Sequence, residues 1–133
     1  MEYKRIFQSD PDLLPEIDKY VHEVAEENNL TEDTVNNLSL SVAEAASNAI
    51  IHGNNSDKNK KITLTIEIFD NQLIVKIKDE GEGFNPKDVP DPTAPENILN
   101  DSGRGIHIIR TFSNLKYNFT PEGTETIITI ERE

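Results

Sequence analysis

The sequence predicts an α/β (α+β) fold, a two-layer sandwich in which a mixed, mostly antiparallel sheet is covered by helices on one face. Ile62, Leu64, Ile66 and Ile68 alternate with polar residues, as do Leu73, Val75 and Ile77, which is the period of strands with one buried face. Asp70-Asn71 separates these runs and makes an antiparallel hairpin. Ahead of them lie two stretches with apolar residues at helical spacing, and such helices must bury their stripe against another layer.

In chain order, Tyr3 to Gln8 reads as a short strand. Ser9-Asp10-Pro11 starts a helix, with Asp10 as cap and proline in the first turn. Leu13, Ile17, Tyr20, Val21 and Val24 carry that helix to about Glu27, where Asn28-Asn29 breaks it. Thr31 caps a second helix expected to run to His52, with Gly53 to Asp57 as the polar loop that closes it. The strands Lys61 to Phe69 and Leu73 to Lys78 follow. Glu80 to Ser102 holds four prolines and little periodicity, the mark of a functional loop. A helix from about Gly105 to Phe112 and a closing hairpin, Leu115 to Phe119 with Glu125 to Glu131, complete one domain over residues 1–133.

Composition narrows the function. With 35% hydrophobic and 29% charged residues the chain is a folded domain, and no apolar run is long enough to span a bilayer. The N-terminus lacks a signal peptide's apolar stretch. Without cysteine there is no disulfide or zinc-thiolate site, which suits a reducing cytoplasm. The net charge is -12, with 13 basic residues against 25 acidic ones. That balance argues against direct binding of nucleic acid or an anionic membrane, and it is compatible with a basic protein partner.

Chemistry concentrates in three blocks. On the second helix Val35, Leu38, Val42, Ala45, Ala46 and Ala49 form an apolar stripe, with Asn37, Ser41, Glu44 and Asn48 on roughly the opposite face. From Thr34 to His52 the single charge is Glu44, in a chain where 29% of residues are charged. A face this poor in lysine and arginine, lined by Ser, Ala and Asn, is suited to being covered by something polar. Glu44 and Asn48 lie one turn apart, about 5–6 Å, and can address neighbouring atoms of one ligand. An amide oxygen from Asn48 suits Mg²⁺, which takes few protein ligands beside substrate phosphates. Glu44 then suits a general base. His52 reads as a helix-end residue, and His22 and His107 as packing or surface.

The second block, Asp79-Glu80-Gly81-Glu82-Gly83-Phe84, follows an apolar strand. It lacks the alternate oxygen ligands and closing glutamate of a calcium loop. Asp79 can accept an adenine amino hydrogen, while Gly81 and Gly83 let backbone approach a purine. The third block, Ser102-Gly103-Arg104-Gly105 before Ile106, sets exposed amides and a helix start together as an anion site, with Arg104 adding a cation. Walker-A and Rossmann glycine patterns are absent.

The three blocks in this order resemble the GHKL ATP-binding superfamily of gyrase, heat-shock chaperone, histidine kinase and mismatch-repair ATPases. Glu44/Asn48 match its N-box, Asp79/Gly81/Gly83 its first glycine box and Gly103/Gly105 its second. Glu-Ala-x-x-Asn-Ala-x-x-His-Gly and Gly-Arg-Gly-Ile-x-x-Ile-Arg resemble most the stand-alone serine/threonine-protein kinase and anti-sigma factors of bacterial partner-switching systems.

That resemblance implies a Bergerat-type ATP-binding fold, with ATP and Mg²⁺ as cofactors. Asn48 would be the metal ligand and Glu44 the catalytic base. Asp79 would contact adenine, and Gly81, Gly83, Gly103 and Gly105 would shape the nucleotide site. Arg104 would address the phosphates, and residues 80–102 would form the ATP lid. It further implies a cytoplasmic kinase acting on a serine or threonine of a small anti-anti-sigma (STAS-like) protein, with a sigma factor as a second partner and a homodimer as a possible state. No room is expected ahead of the first strand for a phosphoacceptor helix, nor after the last for a transducer domain, so the domain is expected to act on a separate protein. The alternatives are a non-catalytic ATP-binding module that sequesters a partner, and a slow ATPase.

Overall fold

In a computed structural model, residues 1–81, 113–120 and 123–132 are described. Their strands are β1 (Glu2–Gln8), β2 (Lys61–Ile68), β3 (Gln72–Lys78), β4 (Ser113–Thr120) and β5 (Gly123–Glu131), in the spatial order β1-β2-β3-β5-β4. Every pairing among them is antiparallel, in keeping with the mostly antiparallel sheet that was expected. The ladder follows from the alternation. Leu64 pairs with Ile77 and Ile66 with Val75, and Val75 in turn pairs with Ile128, so one apolar row crosses the sheet and faces the helices.

A 3-10 turn (Pro11–Leu13) leads into α1 (Leu14–Glu27), and Asp10 caps that turn by accepting from the Asp12 N–H. Asn29 ends the pair's first helix in the left-handed region, at φ 52°. The Asn29 N–H donates to Glu26 O and the Leu30 N–H to Ala25 O, the bonding of a Schellman cap with asparagine in glycine's place. Thr31 caps α2 (Glu32–Asn48) through the Thr34 N–H.

The helices press Ile17, Val21, Leu38, Val42 and Ala46 onto Leu64, Ile66, Leu73, Val75 and Ile130, all fully buried or nearly so. Alanines at 45, 46 and 49 present little bulk to the sheet. They let the site-bearing end of α2 lie close to it. Val35, expected within the buried stripe, is only half-buried, and Ser41, expected on the polar face, is buried.

Beyond Asn48 the structure departs from the expected α-helix to His52. Ala49–Gly53 is a single π-helical turn, closed by the Asn54 N–H donating to Ala49 O at 2.9 Å and the Ser56 N–H to Ile50 O at 2.7 Å. The wider turn keeps Ile50 in the core and turns Ile51 outward. It carries Gly53, expected at the start of a loop, into the interior beside the end of β3.

Candidate functional site

The site is built where the π turn, the end of β3 and the start of β5 converge. Asp79 follows β3 directly and is 1% exposed. Its N–H donates to Thr124 O, and its Oδ1 accepts from the Thr124 N–H at 3.0 Å and the Gly81 N–H at 3.1 Å. Burial pushes this carboxyl above its ordinary range, opposed by those two N–H donors and by the charge of Lys60. With Oδ1 held by backbone, the carboxylate presents Oδ2 as an acceptor of fixed direction.

Three glycines make room for that arrangement. A Cβ on Gly53 would fall 2.1 Å from Asp79 Oδ2, and one on Gly81 would fall 1.7 Å from Gly53 O. Gly123, at φ +144°, would place a Cβ 2.1 Å from Asp79 O. Side chains at these positions would fill the space around the carboxylate, so the residues form a cradle closed by main chain. Asn54, fully buried, ties the cradle together: its Oδ1 accepts from the Glu80 N–H at 2.9 Å and its Nδ2 donates to Lys61 O at 3.1 Å.

Glu44 and Asn48 occupy the last two turns of α2, immediately before the π turn, and both are half-buried. Partial burial raises the Glu44 carboxyl above its ordinary range, which strengthens it as a proton acceptor. Among the described residues no group of three or more His, Asp or Glu side chains could hold a metal by itself. Asn48 offers an amide oxygen, a donor of the hard kind that Mg²⁺ accepts beside ligand phosphates.

Of the residues singled out in the sequence, Asp79 and Gly81 are brought into one cradle, with Glu44 and Asn48 on the helix that leads into it. Gly83, Gly103, Arg104 and Gly105 lie outside the described residues, as do the helix at 105–112 and the lid beyond Gly81. Four residues that sequence reasoning left out are built into the site: Gly53 as a contact, Asn54, Gly123 and Thr124. A glycine ahead of the alternating apolar run Ile127 to Ile130, as in Gly123-Thr124, was the available signal.

A model of the histidine kinase-like ATPase domain family matches residues 7–130. The chain is 29% identical over 94 residues to the serine-protein kinase RsbW of Bacillus subtilis, covering 66% of this chain and 59% of that protein. It is 38% identical over 86 residues to an anti-sigma F factor of a Geobacillus species, covering 62% of this chain and 58% of that protein. The chain thus spans less than two thirds of the length of these curated relatives. Among solved structures, the catalytic domain of the histidine kinase ThkA superposes with a TM-score of 0.56 at 17% identity, covering 98% of this chain and 97% of that one. The histidine kinase domain of Erythrobacter litoralis EL346 gives 0.58 at 18%, covering 93% and 61%. Both likenesses are of fold.

Proposed function

The chain belongs to the histidine kinase-like ATPase domain family, and from that premise we propose that it is an ATP-dependent protein serine/threonine kinase acting as an anti-sigma regulatory factor. The observation that carries this reading is the buried Asp79 carboxylate, fixed by two N–H donors inside a cradle of glycines, with Glu44 and Asn48 on the adjoining helix. The similarity to a serine-protein kinase and to anti-sigma F factors supports the choice of protein hydroxyl over water as acceptor.

In this mechanism Asp79 binds the nucleotide by accepting the adenine amino hydrogen, and the cradle excludes water from that bond. Gly81 and Gly83 admit the purine, and Gly103, Arg104 and Gly105 receive the phosphates. Asn48 would hold Mg²⁺ through its amide oxygen, and the ion would supply charge neutralisation on the phosphates. Glu44 orients the partner's serine or threonine hydroxyl and takes its proton as the oxygen bonds to the γ-phosphorus and the bond to the ADP oxygen breaks. The raised proton affinity of Glu44 suits that step.

The substrate is proposed to be a small anti-anti-sigma (STAS-like) protein, with a sigma factor as the competing partner in the cytoplasm. A homodimer belongs to the same reading. The sheet face away from the helices carries Ile6, 57% exposed, as an apolar point for a second copy. No helix among the described residues is long and apolar enough to cross a membrane.

The test is transfer of radiolabelled γ-phosphate from ATP to a STAS-type protein of the same genome, in the presence of Mg²⁺. Transfer lost in Glu44→Ala, with ATP binding kept, is the expected result. ATP binding without transfer to any such protein would replace the kinase by a binding module, and hydrolysis without a partner would make it an ATPase.

A further inference from the structure

We infer that Asn54 is a positioning residue that sets the site's selectivity for adenine, acting through Asp79. The inference rests on the reading of Asp79 as the adenine acceptor. Its basis is a closed ring of hydrogen bonds joining three distant segments. Asn54 Nδ2 donates to Lys61 O at 3.1 Å, the Lys61 N–H donates to Glu80 Oε1 at 2.6 Å, and the Glu80 N–H donates to Asn54 Oδ1 at 2.9 Å. The π turn, the first residue of β2 and the residue after Asp79 are thereby locked to one another.

The ring needs an amide at position 54. It must donate to a carbonyl on one side and accept from an N–H on the other, which neither a carboxylate nor a hydrocarbon does. Asn54 is 0% exposed, so both groups would otherwise be buried without water. Its own backbone closes the π turn through Ala49 O, so the ring anchors the Gly53 peptide next to it. Gly53 in turn touches both Asp79 and Gly81, at the positions where a Cβ would collide.

The consequence reaches the carboxylate directly. Glu80 lies between Asp79 and Gly81, and the Gly81 N–H is one of the two donors that fix Asp79 Oδ1. With the Asn54 bonds lost, the Asp79–Glu80 peptide is released, the Gly81 N–H that follows it moves off Oδ1, and Oδ2 loses its fixed direction. A hydrogen bond to the ligand depends steeply on angle, so adenine recognition suffers while contacts to the phosphates, made elsewhere, remain.

Inosine triphosphate separates these contributions, because it lacks the exocyclic amine and keeps the ring system and phosphates. Calorimetric titration of ATP and ITP into the full chain gives the affinity ratio for each variant. The parent is expected to favour ATP by about tenfold or more, the loss associated with one buried acceptor left without its donor. In Asn54→Ala, and in Asn54→Ser, whose shorter side chain cannot reach both the Glu80 N–H and Lys61 O, the ratio should fall towards one while ITP affinity changes little. A merely structural asparagine would weaken both nucleotides together and leave the ratio intact. Should Asn54→Ala fail to fold, Asn54→Ser decides alone. A parent without discrimination, or discrimination that survives in Asp79→Asn, would overturn the reading of Asp79 itself. Discrimination lost in Asp79→Asn but preserved in both Asn54 variants would overturn the role of Asn54 only.

Discussion

Gly53→Ala probes the cradle with a single methyl group. The added Cβ would lie 2.1 Å from Asp79 Oδ2 and 2.5 Å from its Cγ, where non-bonded atoms settle near 3.5 Å. The carboxylate must therefore withdraw by roughly an ångström or more, and it has nowhere to go. On the other side Oδ1 is already held by the Thr124 and Gly81 N–H groups. The bonds from Thr124 and Gly81 are already 3.0 and 3.1 Å long, and a shift of that size takes them beyond hydrogen-bond distance. Overpacking of this kind costs about 1–3 kcal/mol. Gly53 is not in the left-handed region, so alanine returns about 0.4–1 kcal/mol by restricting the unfolded chain. The net loss of about 1–2 kcal/mol corresponds to a fall in Tm of roughly 3–8 °C, readable by calorimetry. ATP affinity should drop about tenfold or more as Oδ2 leaves its place. The double variant Gly53→Ala/Asp79→Ala should be less unstable than the sum of its parts, because removing the carboxylate removes the collision. Parent-like melting and ATP binding in Gly53→Ala, or strict additivity in the double variant, would refute the cradle.

Three further outcomes follow from named contacts. Glu44→Gln should abolish phosphate transfer yet raise Tm at neutral pH. Burial raises the folded carboxyl above 4.5, so its protonated form is favoured below that value and the benefit is lost as pH rises through the folded pKa, a penalty glutamine never carries. Melting curves of both forms should converge in acid. ATP binding should weaken as pH falls through the raised Asp79 pKa, because the ionised carboxylate is the proposed acceptor, whereas binding of ITP should change less over the same range. Arg132 donates Nη1 to Phe69 O and Nη2 to Asn28 O, both at 3.0 Å, pinning the end of β5 to the β2–β3 turn and the end of α1. Arg132→Ala should cost about 1 kcal/mol and lower Tm by about 3–5 °C without altering nucleotide affinity.

The sheet was legible because alternation is a local signal: Ile62 to Ile68 and Leu73 to Ile77 declare their buried face residue by residue, and Asp70-Asn71 supplies the turn. The caps at Asp10 and Thr31 were legible for the same reason, since each acts within three residues. The π turn was not. Ile50, Ile51 and His52 continue an acceptable helical pattern, and a hydrogen bond displaced by one residue leaves no trace in side-chain type. Nor were the partners of Asp79. Asn54 meets Glu80 across 26 positions and Thr124 meets Asp79 across 45, and ordinary polar residues acquire such roles only once the fold has joined them. Ser41 illustrates the converse, since its side of α2 looked polar and is buried.

The way the cradle is built explains why a carboxylate can be held there at all. A buried acid without partners would be protonated or excluded, so Asp79 must be compensated, and the fold does this chiefly with backbone. Thr124 and Gly81 supply N–H donors to one oxygen, fixed by the strand ladder on one side and by the Asn54 ring on the other. Lys60 contributes charge from a distance, and no cation sits against the carboxylate among the described residues. A direct ion pair would have satisfied Oδ2 and taken away the acceptor proposed for an adenine amine. Compensation by two amides on one oxygen is partial, and for that reason the carboxyl stays raised and the second oxygen stays available. The glycines follow from the same requirement: amides can approach a carboxylate this closely only where no Cβ intervenes, and that is the condition met at Gly53, Gly81 and Gly123.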